Sequence, residues 1–251
     1  MIEFQTTYFS GAIGVQLGAR ILIPDSGPIG KPTLYLLHGL SDDHSIWHRR
    51  SSVERYVETC DVVVVMPNGG RGFYTNAVEG ARWGDAMGPE LVANVEQWFP
   101  VAKSVDMRFI AGLSMGGYGA LRLALSKPGT YGHAASLSGA LMIGSQPVVN
   151  PLRSSAYQAE MIRIFGENPV GSEHDLLSLV RSCQASNALP KLWLDCGTSD
   201  FLFDDNQSFH QRLVEMNVPV TYTVSDGSHD WQYWNRLLPD VLRWMGFTPA
   251  D

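Results

Sequence analysis

The chain has 251 residues, 45% hydrophobic and 17% charged, a globular composition that excludes a disordered chain. A net charge of −7 with no block of lysines or arginines disfavours a nucleic-acid partner. The longest apolar stretches, such as residues 62–66, are strand-sized and far short of a membrane span.

The N-terminus Met1-Ile2-Glu3-Phe4-Gln5 has neither a basic segment nor a long apolar core. No secretory signal is expected, and a cytoplasmic location follows as an expectation. Cys60, Cys183 and Cys196 are scattered without CxxC spacing. That pattern suits small buried thiols, not a disulfide framework or a zinc site.

Residues 4–9 and 15–23 read as an antiparallel strand pair joined through Ser10-Gly11. Residues 33–37 form a continuous apolar run, as expected of a strand buried on both faces, and end in His38-Gly39-Leu40. Residues 53–60 suit a short helix. Residues 61–66 are a second buried strand, stopped by Pro67-Asn68-Gly69-Gly70. Residues 89–99 suit a helix with Pro89 in its first turn and an apolar stripe of Leu91, Val95 and Trp98. Strand 108–111 precedes a helix from Gly117 that Lys127-Pro128-Gly129 ends. Strands at 133–137, 191–196 and 219–224 follow, with helices at 204–216 and 230–244. Strand alternates with helix, so the fold class is α/β with a mainly parallel, doubly wound sheet and helices on both faces. The whole chain reads as one domain. A long insertion at about 140–188, irregular and then weakly helical, is expected to cap the site at the strands' carboxyl ends.

The chemistry centres on Gly112-Leu113-Ser114-Met115-Gly116, a G-x-S-x-G between strand and helix. A sharp turn there lifts the serine hydroxyl clear of both elements, and glycines allow neighbouring backbone to come close. A nucleophilic serine needs a base, an orienting acid and oxyanion donors. His229 follows the last strand and fits the base; His38, His44, His48, His133, His174 and His210 fit less well. Asp200 is the first carboxylate past strand 191–196 and is the expected acid, with Asp204 in reserve. Asp195 lies inside that strand, and Asp226 and Asp230 flank the histidine too closely to orient it. The backbone N–H groups of Leu40 and Met115 are the expected oxyanion donors, with Gly39 letting the first loop turn. His38 is expected to prop that loop. Tyr74, in Arg71-Gly72-Phe73-Tyr74, is a candidate to line the substrate pocket; Trp231 and Trp234 look like core.

Four motifs together resemble the esterase D family of α/β-hydrolases, closest to its bacterial tributyrin-esterase branch. They are Tyr35-Leu36-Leu37-His38-Gly39-Leu40, Gly70-Arg71-Gly72-Phe73-Tyr74-Thr75, Gly112-Leu113-Ser114-Met115-Gly116-Gly117-Tyr118-Gly119-Ala120 and Gly227-Ser228-His229-Asp230-Trp231. The resemblance runs over nearly the whole chain. It implies Ser114 as nucleophile, Asp200 as acid and His229 as base, with oxyanion donors at Leu40 and Met115. It also implies a metal-independent enzyme without a cofactor, often oligomeric in the family. S-formylglutathione hydrolases of the family commonly carry cysteine where this chain has Asp42. The expectation is therefore a serine carboxylesterase for small acyl esters, acetyl to butyryl, with a small-molecule ester as its partner. An S-formylglutathione thioesterase and an acetyl-xylan or feruloyl esterase are the alternatives. A catalytically silent binding module is the alternative outside the enzymes.

Overall fold

A computed structural model describes residues 1–148 and 154–250; residues 149–153 of the anticipated insertion lie outside the described residues. Eight strands form one sheet: β1 (Ile2–Ser10), β2 (Val15–Ile23), β3 (Thr33–Leu37), β4 (Val63–Pro67), β5 (Arg108–Leu113), β6 (His133–Leu137), β7 (Lys191–Gly197) and β8 (Thr221–Ser225). Their spatial order is β1-β2-β4-β3-β5-β6-β7-β8. The first two pairings are antiparallel and all the others parallel. The expected antiparallel pair therefore extends a parallel core at one edge, an α/β-hydrolase architecture.

Every residue of β3, β4 and β6 is buried, because helices cover both faces. Strand alternation divides them between two cores. Tyr35 and Leu37 face one core, and Leu34 and Leu36 the other. The second core is closed by α1 (Ile46–Arg50), α2 (Val53–Val57) and α9 (Trp231–Trp244). Helix α9 contributes Tyr233, Trp234, Leu237, Leu238, Val241 and Leu242, spaced so that all lie on one face. Burial of each such side chain is worth about 1.5–3 kcal/mol. The first core is closed by α4 (Leu91–Trp98), α5 (Met115–Ser126), α7 (Leu176–Ala185) and α8 (Phe203–Glu215). The segment between β6 and β7 carries α6 (Ser155–Phe165) before α7. All three cysteines are buried and free. No helix among the described residues is long and apolar enough to cross a membrane.

Two local expectations are corrected. Pro89 is not at a helix start: helical backbone begins at α3 (Trp83–Asp85) and passes through a π turn at Ala86–Glu90 into α4. Proline has no N–H to continue an α-helical ladder and its ring crowds the preceding turn; the wider turn accommodates it. Trp98 is partly exposed and edges Tyr8 of β1 at 5.2 Å instead of joining the buried stripe. Helix α1, five residues long, was not anticipated.

Candidate active site

Parallel strands deliver their carboxyl ends to one rim, and β5, β7 and β8 each end in a loop that carries one expected residue. Ser114 follows β5 with φ +53° and ψ −116°, a region that costs a non-glycine residue about 1–3 kcal/mol. The surroundings enforce it. The Ser114 N–H donates to the Leu137 carbonyl at 2.9 Å, and its own carbonyl accepts from Tyr118 and Ala140. A Cβ on Gly116 would lie 2.6 Å from the Leu37 carbonyl oxygen and 2.7 Å from that of His38. Both obstacles are backbone, so Gly116→Ala is expected to destabilise the protein by about 1–3 kcal/mol. An unchanged thermal midpoint would refute that steric account.

The three side chains form one hydrogen-bonded chain. Ser114 Oγ lies 2.9 Å from His229 Nε2. His229 Nδ1 lies 2.8 Å from Asp200 Oδ2 and 3.0 Å from Oδ1. A carboxylate only accepts, so Nδ1 carries the ring proton and Nε2 is left to accept from the serine hydroxyl. The Asp200 side chain has no exposed surface, whereas that of His229 is 18% exposed. Burial pushes the Asp200 carboxyl up. Bonds from His229, the Leu202 N–H and the Ser138 hydroxyl outweigh it and hold the group below its ordinary range. The loops bearing Asp200 and His229 touch at two glycines. A Cβ on Gly197 would lie 2.3 Å from the Gly227 carbonyl oxygen, and one on Gly227 2.0 Å from the Tyr233 ring.

Leu40 and Met115 line the same cavity as Ser114 and His229. Met115 opens α5, so its N–H lies in the first turn, where no carbonyl of the helix can reach it. Neither amide has a hydrogen-bond partner among the described residues. Two openings meet at the serine. One is a cavity of about 300 Å³ walled by Phe73 and Met115 and, from the β6–β7 segment, by Ile143, Val148, Tyr157 and Met161. The other is a wider cleft of about 610 Å³ reaching Gly39, Asp42, Arg50, Asp230 and Trp231.

A family model described as "Putative esterase" matches residues 10–245. The chain belongs to the esterase family. An acetyl esterase from Caldicellulosiruptor saccharolyticus is 32% identical over 219 residues, 85% of this chain and 82% of that protein. FphF, a fluorophosphonate-binding serine hydrolase of Staphylococcus aureus solved with substrate bound, superposes with a TM-score of 0.85 at 32% identity. The match covers 97% of this esterase and 98% of FphF. The S-formylglutathione hydrolase FrmB of the same organism, solved as apoenzyme, gives the same TM-score, identity and coverage.

The other singled-out residues of the esterase lie elsewhere. Tyr74 does not line the pocket: it is fully buried, its hydroxyl donates to the His38 carbonyl at 3.0 Å, and its ring fills the space over Gly69 and Gly119. Phe73 and Tyr74 both have positive φ, and it is Phe73 that reaches the cavity. His38 braces two loops. Its Nε2 accepts from the Gly69 N–H at 2.9 Å, so its Nδ1 donates to the Gly39 carbonyl at 2.8 Å, and burial pulls its pKa down. His133 stacks on Phe109, His210 on Tyr222, and His174 pairs with Thr75. Asp204 is exposed. Asp195 is tied to Thr223 and Tyr233, and Asp230 caps α9 through the Tyr233 N–H.

Three contributors escaped the sequence. Ser138, at φ +48°, accepts from Trp234 Nε1 at 3.1 Å, and its hydroxyl helps to hold the Asp200 carboxyl below its ordinary range. Trp234 also meets the His229 ring edge-on at 4.9 Å, opposed by Phe201 at 4.4 Å. Trp234 was expected as core, and it is buried; its polar edge nevertheless serves the site. The Leu202 N–H, 2.8 Å from Asp200 Oδ1, completes the set. Position is a cue for Ser138, directly after β6, and for Leu202, in the loop after β7; Trp234 lies on α9, where nothing in the sequence separates it from the other core residues of that helix.

Proposed function

We propose that this esterase hydrolyses short-chain carboxylic esters, acetyl to butyryl, through an acyl-enzyme on Ser114. The carrying observation is the unbroken chain from Ser114 through His229 to Asp200. Ser114 Oγ attacks the ester carbonyl carbon as His229 Nε2 takes its proton. Asp200 holds the resulting imidazolium, and the Leu40 and Met115 N–H groups receive the oxyanion; each such donor is worth about 10²–10³ in rate. The carbon–oxygen bond to the alcohol breaks, and the alcohol leaves with the proton from His229. Water then attacks the acyl carbon, gives a proton to His229, and the acid departs as Ser114 recovers its hydroxyl.

The narrower cavity, walled mostly by apolar side chains, takes the acyl chain, and the wide cleft takes the alcohol. Water must reach the acyl carbon from the side the alcohol has left while the acyl group stays seated, which suits the open cleft to departure and entry. Residues 140–148 and 154–188 cap the acyl side. They are fastened by the two-bonded pair of Arg71 with Glu160 on α6, at 2.7 and 2.6 Å, and by Arg122 with Glu173 at 2.7 Å.

The likeness to FrmB favours a second reading, a thioesterase acting on S-formylglutathione. Against it, Asp42 and Asp230 outnumber Arg50 in the cleft that would take the anionic tripeptide. A profile of kcat/KM on p-nitrophenyl esters from acetate to decanoate is expected to peak at or below butyrate, and the purified esterase to prefer tributyrin over S-formylglutathione and acetylated xylo-oligomers. A peak at long chains, or preference for either alternative substrate, overturns the assignment.

A further inference from the structure

The acyl cavity holds one charged side chain that the reaction above leaves unused. Asp205, in the first turn of α8, lines it together with Ser114 and His229. The residue is half-buried. Among the described residues its carboxylate has no hydrogen-bond or ion-pair partner. Burial pushes its carboxyl above the ordinary range, and neighbouring Asp204 adds to the effect. The other carboxylates of this loop and its neighbour differ. Asp200 receives His229 and the Leu202 N–H, and Asp230 receives the Tyr233 N–H.

A half-buried carboxylate without a partner is unfavourable unless something supplies the missing donor. A carboxylate in a first helical turn does gain from the helix dipole. Asp204, exposed on the same turn, gains equally without entering the cavity, so the dipole does not explain a carboxylate facing the acyl chain. Ile143, Met161 and Leu202 in the same wall offer it no donor, and the polar Gln146 that also lines the cavity is not bonded to it. We propose that Asp205 receives a hydroxyl or ammonium donor on the acyl portion of the substrate, so that the esterase selects hydroxy- or amino-substituted acyl groups over plain ones of equal size. This selectivity rests on the acyl-enzyme function proposed above and on the acyl chain occupying this cavity.

The test uses matched methyl esters in which a methyl group replaces the hydroxyl: 3-hydroxybutyrate beside 3-methylbutyrate, and 6-hydroxyhexanoate beside heptanoate. Wild-type esterase is expected to favour the hydroxy member of at least one pair in kcat/KM, and Asp205→Ala to lower that preference about tenfold. Asp205→Asn keeps the shape and a neutral acceptor, and is expected to lower it about threefold, since a neutral acceptor holds a donor about half as strongly. A purely structural role for Asp205 would move both members of each pair alike. No preference in the wild type, or a preference that both variants leave intact, overturns the proposal. So does a preference that appears only between 2-hydroxyethyl and propyl butyrate, which would place the donor on the alcohol. Failure of the wild type to hydrolyse any of these esters would instead count against the esterase function itself.

Discussion

Ser114→Ala is expected to lower kcat/KM on p-nitrophenyl acetate by at least about 10⁴-fold while leaving the fold in place. Among the described residues the hydroxyl is the only side-chain oxygen within bonding distance of His229 Nε2, so without it the imidazole has no nucleophile to deprotonate. Where serine and histidine work as a unit, losing either has cost about 10⁶-fold in kcat. What survives is binding and oxyanion stabilisation, worth about 10³–10⁴ over water. Stability should change little. Alanine at φ +53° bears the same backbone strain as serine, and one hydrogen bond is lost, worth about 1 kcal/mol. Two readouts separate chemistry from folding. The wild type should take up a fluorophosphonate probe and the variant should not, while their thermal midpoints stay within a few degrees. Turnover unchanged in the variant would end the acyl-enzyme account.

Much of this arrangement was legible because a parallel sheet converts chain order into place. Continuous apolar runs such as 33–37 and 62–66 announce strands buried on both faces, and their ends must share a rim. A loop after each of three parallel strands, two of them buried runs and the third the half-buried edge strand β8, was enough to nominate Ser114, Asp200 and His229 together. The residues that were not legible depend on backbone turns the side chains do not encode. Ser138 bends at φ +48° with nothing in a serine to signal it. Phe73 and Tyr74 both enter the left-handed region. Gly72 precedes them pressed on Trp83, where a Cβ would lie 1.9 Å from the indole. That bend decides which aromatic meets the cavity, and local sequence favours neither. Helix α1 was hidden for another reason: its two buried residues, Ile46 and Trp47, are adjacent and show no helical spacing, whereas the equally short α2 places Val53, Tyr56 and Val57 three and four apart. Pro89 misled because its usual place is a first turn, and only the π turn that absorbs it lets the helix begin earlier.

Asp200→Asn is expected to reduce kcat by up to about 10⁴-fold, and Asp204→Asn to leave it within about twofold. The two carboxylates lie four residues apart but differ in kind. Asp200 is shielded from water, spans His229 Nδ1 with both oxygens, and is held ionised by the Leu202 N–H and the Ser138 hydroxyl. An amide in its place presents an N–H₂ that can donate to Nδ1 and so favours the tautomer with the proton on Nε2. In that tautomer the histidine cannot accept from Ser114, and no anion steadies the imidazolium that forms when it does. The damage should therefore fall on kcat more than on KM, because neither opening beside the serine is reshaped. Asp204 faces solvent on the first turn of α8, where its loss removes only a helix-end charge worth about 0.3–1 kcal/mol. Activity lost in Asp204→Asn and kept in Asp200→Asn would transfer the acid role to Asp204 and require the α8 loop to rearrange before catalysis.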